Sequence, residues 1–265
     1  MPGAFTFQTG AATHVGQVRK LNEDSVLARP EIGLWVVADG MGGHGGGDVA
    51  SQAVVKALAT LGATDSATEL LDGFEARIAE VNGDLRALAR SRGASIIGTT
   101  LAALLIHGPH YACVWCGDSR AYLLREGAMT QLSRDHSEVQ DLIDRGILDA
   151  EEAKAWPRRN IITRALGVAE RADLEIIDGR AHGGDRFLLC SDGLTNHLSD
   201  AEIAALLAAG APQTACDALV ALTLQRGASD NVSIVVVDCE ADMRTVRADR
   251  LPSHAGAVVA DRGIG

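Results

Sequence analysis

The sequence predicts an α+β layered sandwich, on three observations. Short runs of strand character fill its middle, several of them are apolar on both faces, and pairs of helical stretches stand before and after them. The strand runs are Ile32 to Ala38, Thr100 to Ile106, Tyr111 to Cys116, Ala121 to Arg125, Phe187 to Cys190 and Val232 to Val237. Gly, Asp, Asn or Ser bounds each of them, as turn residues bound strands. The first helix follows a glycine cluster, from about Val49 to Leu61. The second runs from about Ala67 to Arg92, where Leu70, Leu71, Phe74, Ile78, Val81, Leu85 and Leu88 recur at three- and four-residue spacing. Two more are expected at Asp200 to Ala209 and Pro212 to Gln225. Ser199 and Glu202 form a capping-box pattern at the start of the first of these.

A polar, helix-prone insertion lies between Arg134 and Leu166 and carries Lys154, Arg158, Arg159 and Arg164. It reads either as a solvated surface helix pair or as a flap facing a substrate. No linker-like break occurs before residue 240, so one domain is expected over 1–240, with the flap at about 137–165. Residues 241–265, mixed in charge with scattered Gly and Pro, read as a loosely ordered tail.

Composition narrows the function. The chain of 265 residues is 47% hydrophobic but only 3% aromatic, so its core must be built from Ala, Val, Leu and Ile. A net charge of −11 gives no basic footprint for general nucleic-acid binding. The N-terminus has no charged region followed by an apolar run, and no stretch has the ~18 apolar residues of a membrane span. A soluble cytoplasmic protein is expected. Five cysteines, an odd number without a disulfide-like pattern, fit a reducing compartment. Cys113 and Cys116 form a CxxC, but within a strand-like segment residues three apart face opposite sides, which favours packing over metal or redox chemistry.

The informative pattern is the placement of acids. Asp39, Asp118 and Asp192 end strand-like runs, whereas Glu23, Asp24 and Asp230 precede them. In an antiparallel sheet the end of one strand lies beside the start of its neighbour, so such acids can meet at one edge. Gathered carboxylates repel one another unless cations sit among them, and oxygen-only ligands select hard ions. Gly40, Gly42, Gly43, Gly45, Gly46 and Gly47 follow Asp39. They let the backbone approach an ion or phosphate, or they form a flexible loop before a helix.

The segments GQVRKLNEDS (16–25), VVADGMGGHGGGDVAS (36–51), GTT (98–100), CGDSRAYLLREG (116–127), LSRDHS (132–137), NIITRALG (160–167), LCSDGLTNHLSD (189–200) and GASDNVSIVVV (227–237) resemble, in order and spacing, the PP2C (PPM) protein phosphatases. The resemblance implies a four-layer α-β-β-α sandwich of two antiparallel sheets flanked by helix pairs. It implies hydrolysis of phosphoserine and phosphothreonine on proteins by a metal-activated water, with two or three Mn²⁺ or Mg²⁺ ions. One ion would be held by Asp39, Asp192 and Asp230, and a second by Glu23, Asp39 and the Gly40 carbonyl. A third would use Asp118 with Asp192. Arg19 would bind the substrate phosphate and Asp24 would orient waters. Animal members place a histidine directly after the Asp-Gly, where this chain has Met41; His44 is the alternative general acid, beside a water. Arg134 and His136 are expected to be structural. The insertion resembles those of stand-alone enzymes associated with type VI secretion and a partner Ser/Thr kinase, and a monomer without nucleic-acid or membrane partners is expected. Every ligand position is filled, which argues against a catalytically dead binding module, and the lack of metal-binding histidines and a basic groove argues against a two-metal nuclease.

Overall fold

The computed structural model describes residues 5–42, 45–94 and 96–241. In chain order its elements are β1 (Phe5–His14), β2 (Asp24–Arg29), β3 (Leu34–Gly42), α1 (Gly47–Leu58), α2 (Ala67–Arg92), β4 (Ile97–Thr99), β5 (Leu101–His107), β6 (His110–Cys116), β7 (Arg120–Arg125), β8 (Ala128–Gln131), α3 (Glu138–Asp144), α4 (Ala150–Lys154), β9 (Glu175–Arg180), β10 (Arg186–Cys190), α5 (Asp192–Thr195), α6 (Asp200–Leu207), α7 (Pro212–Gln225) and β11 (Val232–Ala241). One sheet has the order β1-β11-β10-β7-β8, and the other β2-β3-β5-β6-β9 with β4 beside β3. Every pairing is antiparallel.

Three apolar layers hold these sheets in a stack. Along β3, Trp35 and Val37 face the space between the sheets, where they pack with Leu104, Phe187, Leu189 and Val235. Leu34, Val36 and Ala38 point the other way, onto Val54, Leu58, Phe74 and Ile78 of α1 and α2. On the far side Leu188, Val232, Ile234 and Val236 meet Ile203, Leu207, Cys216 and Leu219 of α6 and α7. The two-residue alternation of a strand therefore sends apolar groups into two different cores, which is why these runs carry no polar face. The four-layer α-β-β-α sandwich is the observed architecture.

α2 has the predicted bounds, because both ends are marked chemically. The Ser66 hydroxyl accepts the Glu69 N–H at 3.1 Å, and Gly93 ends the helix with φ +60°. At α6 the Ser199 N–H donates to the Glu202 carboxylate at 3.0 Å. Cys113 packs between the sheets and Cys116 in the outer core, so the CxxC pair does face opposite sides, and all five cysteines are buried and free.

Several strands lie outside the sequence expectation. β1 and β9 are sheet edges with mixed, half-exposed sequences, FTFQTGAATH and EIIDGR, so neither offers an apolar run. β1 gains its conformation from pairing with β11, from Phe5↔Ala241 to His14↔Val232. Ala241 consequently belongs to the sheet, one residue beyond the expected boundary; the rest of the expected tail, 242–265, lies outside the described residues. No helix of the described residues is long and apolar enough to cross a membrane.

Phe74 is fully buried where α2 meets the sheet. Phe74→Ala is expected to cost about 3–5 kcal/mol, read as a lower urea midpoint; a loss under about 1 kcal/mol would mean that α2 is not a structural layer.

Candidate metal centre

The sheet register carries the acids to one place. Asp24 opens β2 directly opposite Asp39 near the end of β3. Asp118 sits in the turn from β6 to β7, Asp192 follows β10, and Asp230 precedes β11, the strand hydrogen-bonded to β10. Arg19, Glu23, Asp39, Asp118, Asp192 and Asp230 line a single cleft of 360 Å³. Asp24 lies behind it, buried, where the Ser191 hydroxyl donates to Oδ2 at 2.9 Å.

Backbone geometry completes one wall. The Gly40 N–H donates to the Glu23 carbonyl at 3.1 Å. A Cβ on Gly40 would stand 2.0 Å from the Gly47 carbonyl oxygen. A Cβ on Gly47 would stand 2.5 Å from Glu23 Oε1 and 2.7 Å from the Gly40 carbonyl oxygen. Side chains are thus excluded where the Glu23 carboxylate and the Gly40 carbonyl approach each other. Thr100 ties Asp39 to the Asp118 turn: its hydroxyl accepts the Asp39 N–H at 3.1 Å and bonds the Ser119 hydroxyl at 2.7 Å.

The electrostatics are those of crowded carboxylates. Burial, reinforced by Asp192 and Asp230, pushes Asp24 up to about 6 despite hydroxyls from Ser233 and Ser191. Burial and the Asp230 charge push Asp192 up to about 6, opposed by hydrogen bonds with Asn196 and Asp39. Asp39 and Asp118 are held well above the usual carboxylate range, first by burial and then by neighbouring acids, Asp24 foremost for Asp39 and Asp192 for Asp118. Arg19 donates to Asp230 Oδ2 at 2.7 Å.

Among the described residues no three acidic, histidine or cysteine side chains already converge on one point. Three of the acids have other partners: Asp230 bonds Arg19, Asp192 bonds Asn196 at 3.0 Å, and Asp24 bonds Ser191. The donor set nevertheless fits hard divalent cations. It is all oxygen, it carries several like charges, and Asp24 Oδ1 is buried with no hydrogen-bond partner.

The predicted residues Arg19, Glu23, Asp39, Gly40, Asp118, Asp192 and Asp230 all meet at this cleft, with Asp24 beneath; His44 lies outside the described residues. His136 is buried, stacks on Trp115, accepts the Gly117 N–H at Nδ1 (3.1 Å) and faces Glu175 with Nε2 (3.2 Å). Arg134 pairs with Asp144. The flap roofs a second cavity of 460 Å³, which shares Asp118, Asn160 and Asp192 with the cleft. Val139, Gln140 and Ile143 of α3 and Ala153 of α4 are among its lining residues.

Asn231 was not singled out by sequence reasoning. Its side chain accepts the Glu23 N–H at 2.8 Å and donates to the carbonyls of Val15 (2.8 Å) and Leu21 (3.0 Å). The only signal was its place beside Asp230 in a quoted motif, because its partners lie about 210 residues away.

Residues 13–222 match the family described as Protein phosphatase 2C. The serine/threonine protein phosphatase PstP of Mycobacterium tuberculosis is 41% identical over 224 residues, 84% of this chain and 43% of its own. The chain thus spans less than half the length of that curated relative. The serine/threonine phosphatase stp of Listeria innocua is 34% identical over 85% of this chain and 93% of its own. Among solved structures, PppA, a key regulatory component of T6SS in Pseudomonas aeruginosa, superposes with TM-score 0.82 at 42% identity, covering 88% of this chain and 97% of its own. The PstP catalytic domain in complex with two manganese ions gives TM-score 0.82 at 38% identity, covering 89% and 99%.

Raised carboxylates predict a pH signature. The folded chain keeps protons on Asp24 and Asp192 that the unfolded chain, with values of about 4, has released. Their contribution to stability is full below about pH 4 and is lost as pH rises through about 6. In chelator, melting temperature is expected to fall over that window, less steeply in Asp192→Asn, and Mn²⁺ at pH 7 is expected to raise it. An equal slope in Asp192→Asn would remove Asp192 from the crowd.

Proposed function

The chain belongs to the protein phosphatase 2C family, and from that premise we propose that it hydrolyses phosphoserine and phosphothreonine in proteins, with two divalent ions, Mn²⁺ or Mg²⁺, at the cleft. The observation that carries the proposal is the all-oxygen crowd of carboxylates at one sheet edge, with a guanidinium at its mouth.

Asp39, Asp192 and Asp230 would hold one ion, and Glu23, Asp39 and the Gly40 carbonyl the other. The glycine-lined approach of Glu23 to the Gly40 carbonyl supports the second assignment. Asp118, beside Asp192, would share a third. Bound there, the ions offset phosphate charge and lower the pKa of a water. Arg19, half-exposed at the cleft mouth, would exchange its contact with Asp230 for two oxygens of the incoming phosphate. Asp24, behind the cleft with its buried Oδ1 unpartnered, would orient a metal-bound water. The buried cysteines are poor nucleophiles, since burial pushes thiols such as Cys190 up to about 12.

We further propose that the protein works as a cytoplasmic monomer that reverses a partner Ser/Thr kinase. The likeness to PppA supports a place in type VI secretion, and phosphoproteomics of a deletion strain against its parent would test it.

Three outcomes check the reading. Mn²⁺-dependent hydrolysis of p-nitrophenyl phosphate and phosphothreonine peptides is expected, abolished by EDTA. Asp39→Asn is expected to lower kcat/KM by more than about 100-fold, since even outer-shell partners of a metal are worth roughly 10–100-fold. Full activity in EDTA would exclude the mechanism. Arg19→Ala is expected to raise KM about tenfold, the value of one charge-assisted hydrogen bond. A fall in kcat with KM unchanged would place Arg19 in the transition state alone.

A further inference from the structure

Val18 and Leu21 are the two most exposed large apolar side chains among the described residues, at 68% and 60%. They stand one residue before and two residues after Arg19, on the loop that leads to Glu23. Scattered surface apolar groups need no explanation, but these flank the cation at the mouth of the cleft.

The loop holds them there firmly. The Gln17 N–H donates to the Ala228 carbonyl and its side-chain amide to the Leu224 carbonyl, both at 2.9 Å. Asn231 grips the Val15 and Leu21 carbonyls, and the Asn22 amide donates to Thr13 Oγ1 at 2.8 Å. Gly16 takes φ +78°, where a Cβ would stand 2.2 Å from the Asp230 carbonyl oxygen. The backbone on either side of Val18 and Leu21 is therefore pinned at the cleft mouth.

The cleft itself has apolar lining in Met41 and Ile162. Ile96, 42% exposed, lies beside Met41 above Gly98: both side chains come within 3.6 Å of where a Cβ on that glycine would be. Apolar groups thus occupy the loop at the cleft mouth and the cleft lining.

We propose that this apolar rim reads the residues flanking the phosphorylated serine or threonine of the protein substrate, favouring apolar side chains, with Val18 and Leu21 as specificity-determining contacts. The proposal rests on the phosphatase reading. A phosphate that reaches Arg19 brings its neighbours along: successive residues of an extended chain advance only ~3.3 Å, so flanking side chains reach Val18 and Leu21. Arg19 and Lys20 supply the only charges of residues 15–22, which suits the phosphate. The chain's net charge of −11 and the acids of the cleft oppose acidic flanks and leave apolar ones untouched.

The test uses the full chain with Mn²⁺ and matched phosphothreonine peptides that differ only in flanking Leu, Ser or Glu. The wild type is expected to show kcat/KM about tenfold higher for Leu than for Ser flanks, the scale of partly burying one or two apolar side chains. Glu flanks should be poorest. The double variant Val18→Ser, Leu21→Ser is expected to bring the Leu-to-Ser ratio near unity, with melting temperature confirming that it folds. Equal wild-type rates on Leu and Ser peptides, or an unchanged ratio in the double variant, would overturn the proposal. So would sedimentation showing a wild-type dimer that the double variant loses, which assigns the rim to a second copy of the chain. No Mn²⁺-dependent hydrolysis of p-nitrophenyl phosphate by the wild type would sink the phosphatase reading itself, and this inference with it.

Discussion

Like-charge repulsion among carboxylates is the constraint around which this molecule is organised. Burial first, and then the charges of neighbouring acids, raises the proton affinity of Asp24, Asp39, Asp118 and Asp192, with Asp230 among the charges that act on Asp24, Asp39 and Asp192. A flexible chain would let such groups drift apart. Here each is fixed by a strand end or tight turn, and the strands are clamped by three apolar layers. The stability of the sandwich thus holds together a site that opposes its own assembly, as strained functional sites require.

Polar contacts of long sequence separation set the fine geometry. Asn231 binds the 15–23 loop to the start of β11, so with Gln17 and Asn22 it helps position Arg19 and Glu23 relative to Asp230. Thr100 does the same for Asp39 and the Asp118 turn. Behind that turn the Arg120 guanidinium makes a two-pronged contact with Asp135, at 2.8 and 2.6 Å, and also reaches the Tyr122 hydroxyl at 3.1 Å. The base of the flap is thereby tied to the strand that follows Asp118, while α3 and α4 roof the adjoining cavity.

The sequence by itself determined the layers and the identity of the gathered acids. Strand runs such as LWVVA and IVVV are apolar at every position, which only a sheet covered on both faces permits, and α2 announces both its ends in Ser66 and Gly93. The antiparallel rule was enough to let acids at strand ends and strand starts meet at one edge, and the register sets Asp24 opposite Asp39 there. Tertiary structure alone decided the rest. β1 and β9 are edge strands whose mixed sequences offer no apolar run and whose conformation comes from a partner, β11 for β1 and β6 for β9. Asn231 gains its role from carbonyls that no local pattern can bring near. No local pattern marks Val18 and Leu21 as exposed, yet they stand outward on a loop pinned by Gln17 and Asn231. Local propensity and periodicity are properties of neighbouring residues, whereas register, loop placement and exposure depend on which distant segments the chain brings together.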